Sequence, residues 1–200
     1  VVVTGMGTVN PLGREVEQFW KQIQAGACGI DKITRFDTTD YPAKIAGEVR
    51  DFDPSDLLDR KELRGMADFT KFAAHAAVQA MNQAKLEKGS FDPYRSGVYV
   101  GNGIGGFEVA EENLAKLFEK GPHAVAPLTI PKLISNEAAG NIAIHFGIQG
   151  PCHTTVTACA SGTDAIGDAF NSIRFGLVDM ALAGGTEAAI TELSVAGFCR

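Results

Sequence analysis

Four short runs of apolar or β-branched residues recur along the chain, and each stops at a tight turn. Val1-Val2-Val3-Thr4 ends at Gly5-Met6-Gly7. Ser96-Gly97-Val98-Tyr99-Val100 ends at Gly101-Asn102-Gly103-Ile104-Gly105-Gly106. Thr154 to Thr157 follows Gly150-Pro151 and ends at Ala158-Cys159-Ala160, and Met180 to Ala183 ends at Gly184-Gly185. Runs this short, bounded by turn residues, read as strands. Segments of helical period lie among them. Val16, Phe19, Trp20 and Ile23 mark a helix that should stop near Gly26. Phe69, Phe72, Ala73, Ala76, Ala77, Ala80, Met81 and Ala84 line one side of a longer helix, whose small residues imply close packing against a neighbour. A helix is predicted from about Phe107 to Phe118. Another carries Ala139, Ile142, Ala143 and Phe146 and stops at Gly147, and a last one carries Ile166, Ala169, Phe170 and Ile173 and stops at Gly176. Residues 29–56 read as loop with a short strand around Ile45 to Val49, and 188–198 as less regular chain. Strands alternating with helices predict an α/β layer built on a largely parallel sheet.

The third run leads straight into its helix, with Cys159 at the join. Ser161 with Asp164 three residues on approximates a capping box, so Cys159 should sit within a turn of a helix N-terminus. Unpaired N–H groups and the helix dipole favour an anion there, which makes the thiolate more accessible at neutral pH. The geometry resembles a nucleophile elbow, in which a tight strand-to-helix turn exposes the reactive atom. The competing reading is a buried structural thiol, as most free cysteines are.

A chain of 200 residues is most simply one domain with a sizeable core. A formal net charge of −6 argues against a whole-surface nucleic-acid binder. The four cysteines, Cys28, Cys152, Cys159 and Cys199, form no C-x-x-C pair, so neither a zinc site nor a disulfide framework is suggested and a reducing cytosol is the natural home. No apolar run is long enough to span a bilayer. The chain opens inside an apolar run and closes at Phe198-Cys199-Arg200 with no polar tail, so it is expected to be a piece of a longer polypeptide.

Gly101 to Gly106 satisfies G-x-G-x-x-G between a strand and a helix, the setting of a dinucleotide site. An acidic residue should follow about twenty positions on to hold a ribose. That region is instead Gly121-Pro122-His123-Ala124-Val125-Ala126-Pro127, so the glycines are better read as allowing close backbone approach. A nucleophilic Cys159 would need a base or a polarising partner. His153 is carried off by the intervening strand, since six extended residues span about 20 Å. His145 ends a helix, where a histidine commonly meets exposed carbonyls. His75 lies in the alanine-rich helix, and His123 in the proline-broken stretch. None is a convincing partner. Lys61, Arg64 and Lys71 are interspersed with Glu62 and Asp68. That pattern fits a solvated face, or alternatively a small basic dock for an acidic partner.

Several of these stretches resemble one family. Val2-Val3-Thr4-Gly5-Met6-Gly7 with Asn10-Pro11-Leu12-Gly13, Gly103-Ile104-Gly105-Gly106, Lys120-Gly121-Pro122, Thr157-Ala158-Cys159-Ala160-Ser161-Gly162 and Gly184-Gly185-Thr186-Glu187 look like the β-ketoacyl-[acyl carrier protein] synthases, the condensing enzymes of fatty-acid elongation. The resemblance spans the whole chain but only the N-terminal half of the family's length. It implies half of a thiolase-like αβαβα layered sandwich, with a mostly parallel mixed sheet and helices on both faces, acting in the cytoplasm. It implies that Cys159 takes an acyl chain from acyl carrier protein as a thioester and condenses it with malonyl carrier protein, with loss of carbon dioxide and without cofactor or metal. Two catalytic histidines would lie beyond Arg200. Ile104 matches the side chain that gates the acyl pocket, Phe198 a pocket-lining aromatic, and Lys61 and Arg64 basic positions that dock the carrier protein. Gly65 departs from the pattern where relatives often carry another basic residue. The strand before Cys159 matches the one that pairs in the family's homodimer, and no contact with nucleic acid or membrane is implied. A silent partner subunit of a polyketide-type synthase is the alternative, against which the presence of Cys159 argues.

Overall fold

The computed structural model describes residues 1–200. In chain order its elements are α1 (Val16–Gln24), β1 (Asp31–Lys32), β2 (Ile45–Ala46), α2 (Arg60–Leu63), α3 (Asp68–Ala84), β3 (Ser96–Gly101), α4 (Phe107–Lys120), α5 (Thr129–Leu133), α6 (Glu137–Phe146), β4 (Cys152–Thr155), α7 (Ser161–Arg174), β5 (Met180–Gly185) and α8 (Glu192–Phe198). Short 3₁₀ turns cover Pro54–Asp56, Pro93–Arg95, Pro122–Ala124 and Ala158–Ala160.

A three-stranded parallel sheet in the order β4-β3-β5 organises the chain, with β1 and β2 as a separate antiparallel pair. Parallel neighbours need long crossovers, and helices supply them. α4, α5 and α6 lie between β3 and β4, while α7 lies between β4 and β5. As the middle strand, β3 is buried along its whole length, which is why its sequence is a continuous apolar run. Its pleat sorts the side chains. Val98 and Val100 join Phe69, Val78, Met81, Ala138, Ala139, Ile142 and Phe146 in the larger core under α3 and α6. Tyr99 points the other way, onto Ala165 and Ala169 of α7. The result is helix, sheet, helix, in three layers, the α/β architecture read from the alternation.

Most helix ends fall where the glycines stand. Gly26, Gly147 and Gly176 take positive φ of 69°, 71° and 72° after α1, α6 and α7, a region where a side chain is strained. Residues 188–198, expected to be irregular, include α8, which Thr191 caps by accepting the Ser194 N–H.

Two further expectations fail. Val1 to Thr4 is not a strand, and Val2 and Val3 are each 80 % exposed. A strand exists only where a neighbour accepts its ladder, and no strand lies beside this segment. Residues 5–8 lie instead across α3. Gln83 Oε1 accepts the Met6 N–H at 2.6 Å and Gln79 Oε1 the Thr8 N–H at 3.2 Å. A Cβ on Gly5 or Gly7 would stand 2.0 or 1.9 Å from the carbonyl oxygens of Ala80 and Ala76. The neighbour implied by the alanines of α3 is thus the chain's own start. The second failure is the capping box: α7 begins at Ser161, and no side chain caps it. A 3₁₀ turn intervenes and draws Ser161 and Asp164 into other hydrogen bonds.

Candidate active site

Ligands of parallel α/β sheets gather outside the carboxyl ends of the strands, where successive connections leave in opposite directions. Here the chain passes from β3 to β4 on one side, then crosses to β5 on the other. Gly101, Thr155 and Gly185 are in register at that end. Three loops therefore converge: 102–106 after β3, 156–160 after β4, and 186–191 after β5.

The middle loop carries Cys159. Ala158, just before it, has φ 52°, one of three non-glycine residues in the left-handed region. Such backbone costs about 1–3 kcal/mol and persists only where surroundings impose it. Here they do. The Thr157 N–H donates to Ser161 Oγ at 2.9 Å, and the Ser161 hydroxyl donates to the Ala158 carbonyl at 2.7 Å. The Ala160 N–H donates to Thr157 O, and Thr157 Oγ1 to Asp164 Oδ2 at 2.6 Å. Thr155 Oγ1 donates to Asp168 Oδ2 at 3.0 Å. The turn's own bonds leave the Cys159 N–H out. Cys159 is exposed.

Small residues set the turn against the sheet. A Cβ on Gly101 would meet Ser161 C and O at 2.1 Å, and one on Gly185 would meet Gly162 Cα at 2.7 Å. The start of α7 therefore rests directly on the ends of β3 and β5. The rest of the glycine run is occupied in the same way: a Cβ on Gly105 would meet Leu133 O at 2.2 Å, and one on Gly106 would meet Lys132 O at 2.3 Å. These glycines face the chain's own backbone, not an open phosphate cradle, so the structural reading of the motif holds.

No histidine stands in the Cys159 turn. His75 is buried between Gln79, whose amide donates to Nδ1 at 2.8 Å, and Asp56, which accepts from Nε2 at 3.1 Å. Its ring pins the Asp56 loop to α3. His145 does not serve helix carbonyls as expected. Its Nδ1 donates to Glu62 Oε1 at 3.0 Å and its ring stands edge-on to Phe146, which ties α2 to α6. His153 lies on β4 against the Tyr99 ring. No group of three or more His, Cys, Asp or Glu is placed to hold a metal.

The other predicted residues lie on three different segments of the chain. Ile104 is at the apex of the loop after β3 and is 38 % exposed. Phe198 closes α8 and is 85 % exposed, so it packs against little of this chain. Lys61 and Arg64 are exposed on α2 and its C-cap. Arg64 also lines an open cavity of about 430 Å³ with Arg35, Arg60, Lys71, Phe52, Phe72 and Asp68, while Lys61 stands outside it. Asp68 is bonded to Lys71 at 2.9 Å and to Arg35 at 3.0 Å. Partial burial pushes its carboxyl up, but those two cations outweigh that and hold it below the usual carboxylate range. Arg60 and Arg64 make no ion pair, which leaves the cavity net positive. Sequence reasoning missed Arg35 and Arg60, because a loop after β1 and the start of α2 meet only in three dimensions.

A family model described as Beta-ketoacyl synthase, N-terminal domain, matches residues 1–200. The chain belongs to the β-ketoacyl synthase family. A relative from Synechocystis sp., 3-oxoacyl-[acyl-carrier-protein] synthase 2, is 46 % identical over 198 residues, which cover 99 % of this chain and 48 % of that protein. The ishigamide ketosynthase/chain length factor shares the fold at a TM-score of 0.92 and 30 % identity, across all of this chain and 50 % of its own. A β-ketoacyl synthase from Burkholderia phymatum aligns at a TM-score of 0.85 and 26 % identity, across 98 % of this chain and 48 % of its own. The chain thus spans about half the length of these ketosynthases, and its three layers are part of their thiolase-like fold. No helix is long and apolar enough to cross a membrane.

Proposed function

We propose that residues 1–200 are the acyl-accepting, N-terminal half of a ketosynthase domain that catalyses fatty-acid elongation, with Cys159 as the nucleophile. The observation that carries this is the strained, hydrogen-bonded turn that holds an exposed Cys159 at the start of a 14-residue helix, on the ligand-binding end of the sheet. The Cys159 thiolate attacks the carbonyl of an acyl thioester on acyl carrier protein. A new C–S bond forms, the old one breaks, and the carrier's thiol leaves with the proton. Malonyl carrier protein then loses carbon dioxide, and the electron pair of the broken C–C bond passes into an enolate. That carbon attacks the Cys159 thioester, giving 3-oxoacyl carrier protein and freeing the cysteine. The positive end of α7 faces the charge on sulfur, and the Cys159 N–H is available to the thioester oxyanion.

Enolate formation needs donors aimed at the thioester oxygen, and no histidine of this chain stands in the Cys159 turn. The two histidines that the family resemblance implies belong to chain beyond Arg200. The same reading makes Ile104 and Phe198 walls of the acyl pocket and places carrier-protein docking at Lys61 and Arg64, beside the positive cavity. It also makes β4, an exposed edge strand with a free ladder, the dimer seam. The enzyme works in the cytoplasm.

The test is intact-protein mass spectrometry of the full-length protein incubated with an acyl carrier protein loaded with a saturated acyl chain. One acyl adduct should form, map to Cys159, and be absent from Cys159→Ala. An adduct on another residue, or none, would refute the assignment. Residues 1–200 alone should yield no 3-oxoacyl product from malonyl carrier protein.

A further inference from the structure

The loop that carries Ile104 is tied down by two side chains to which the mechanism above gives no role. Asn102, the residue after β3, is 1 % exposed. Its amide nitrogen donates to Thr186 O at 2.7 Å and to Glu187 Oε1 at 3.1 Å, and its Oδ1 accepts the Gly105 N–H at 2.5 Å. Glu187 Oε2 accepts the Gly103 N–H at 2.9 Å. Ile104 therefore stands between two amides that are each held, one by Asn102 and one by Glu187. A Cβ on Gly103 would come within 2.6 Å of Glu187 Oε2, so the carboxylate lies directly against the loop backbone. The far side of the loop is fixed too, because the Gly106 N–H donates to Leu133 O at 3.0 Å.

Glu187 has no cation partner, and its hydrogen bonds go only to Asn102 and Gly103. Asn102 uses its amide donor and its acceptor together, as a buried amide must to avoid a desolvation cost. The network joins the end of β5 to the loop after β3. That loop leaves the sheet at Gly101, the residue on which the first turn of α7 rests. Moving the loop therefore moves Ile104 relative to Cys159.

We infer that Asn102 and Glu187 are positioning residues for acyl selection, fixing the distance between Ile104 and the Cys159 turn and so the length of chain the site accepts. The inference rests on the proposed roles of Cys159 as acyl acceptor and of Ile104 as a wall of the acyl pocket. Neither residue touches a reacting atom, and both act through the backbone on either side of Ile104.

The test uses the full-length protein as wild type, Glu187→Ala, Glu187→Gln and Asn102→Ala. Acylation of Cys159 is timed by mass spectrometry with hexanoyl-, dodecanoyl- and hexadecanoyl-loaded acyl carrier protein, giving kcat and KM for each, and hydrogen exchange is followed in the 101–107 peptide. Glu187→Ala and Asn102→Ala should speed exchange at Gly103 and Gly105 about tenfold, the effect of losing a hydrogen bond to a buried or charged acceptor. They should also change the ratio of kcat/KM between long and short chains by about threefold or more, chiefly through KM. Glu187→Gln keeps one acceptor oxygen but turns its NH2 toward the second donor, Asn102 Nδ2 or the Gly103 N–H, so it should fall between wild type and Glu187→Ala. A uniform fall for every chain length, or unchanged exchange at the two glycines, would overturn the positioning role alone. A wild type that never acylates Cys159 would instead sink the proposed function, and acyl selection with it.

Discussion

Adding one methyl group at Gly101 tests whether the cysteine turn is held by direct contact between α7 and the sheet. In Gly101→Ala the new Cβ would stand 2.1 Å from Ser161 C and O and 2.4 Å from Gly162 N. Carbon contacts are comfortable at about 3.5–4.0 Å, so the first turn of α7 must retreat by roughly 1.4 Å or more. Overpacking a rigid site costs typically about 1–3 kcal/mol. All three clashing atoms are backbone, so no rotamer change relieves them, and a loss of about 3 kcal/mol or more is expected. Gly140, in α6, is the control: nothing lies within 4 Å of its added Cβ. Gly140→Ala should stabilise by about 0.5–1 kcal/mol, through helix propensity and a less disordered unfolded chain. Urea unfolding of the full-length ketosynthase measures both. The retreat of α7 should also slow iodoacetamide alkylation of Cys159, because the turn loses its strained form. If the two variants differ by less than about 1 kcal/mol, Gly101 is not the seat of α7 and the account of how Cys159 is placed is wrong.

Two further outcomes follow from local chemistry. Cys28 and Cys152 are exposed as well, but Cys159 should be the fastest of the four cysteines to react with iodoacetamide, since it alone stands in a turn at a helix start, and partial burial pushes the Cys152 thiol up. Peptide mapping that finds Cys28 or Cys152 labelled first would contradict the elbow geometry. Glu48, 5 % exposed, gives a pH signature. Burial pushes its carboxyl up, but the Thr34 N–H and hydroxyl, Arg50 and the Arg35 N–H together hold it below its ordinary value. In the unfolded chain the carboxyl binds its proton at higher pH, so the stabilisation is complete above about pH 4–5 and fades as pH falls through the lower folded value. Glu48→Gln should cost about 1–3 kcal/mol at pH 7 and flatten the loss of stability below pH 4–5, as read from urea midpoints across pH. An unchanged profile would remove Glu48 as the anchor of the turn that aims Arg35 at Asp68.

Cys159 was legible from the residues around it. The join of β-branched run and helical period placed it at a turn, and Gly176 and Gly147 marked real helix ends. Its immediate support was not legible. Ser161 and Asp164 read as a capping box, because that motif is local and common. The fold uses them instead to lock Ala158 in a positive φ, a choice forced by the backbones of Gly101 and Gly185 arriving from other strands. The glycine run after β3 was legible as close approach but not for what it approaches, since Glu187 lies 84 residues from Gly103. Val1 to Thr4 misled for a different reason. Strand propensity describes a pleated, half-buried surface, and the segment has the residues for one without a neighbour to pair with.

Sequence alone was enough for the α/β class, the parallel sheet and the cysteine at a strand-to-helix turn, because each depends on period, turn residues and short-range order. Tertiary structure alone decided three things. It assembled the positive cavity from Arg35, Arg60, Arg64 and Lys71. It turned Gln79 and Gln83 into supports for the chain's first residues. It also joined Asn102 to Glu187 beneath Ile104. Each of these depends on groups distant in the chain meeting at hydrogen-bond range, and that distance is set by packing layers, not by local pattern.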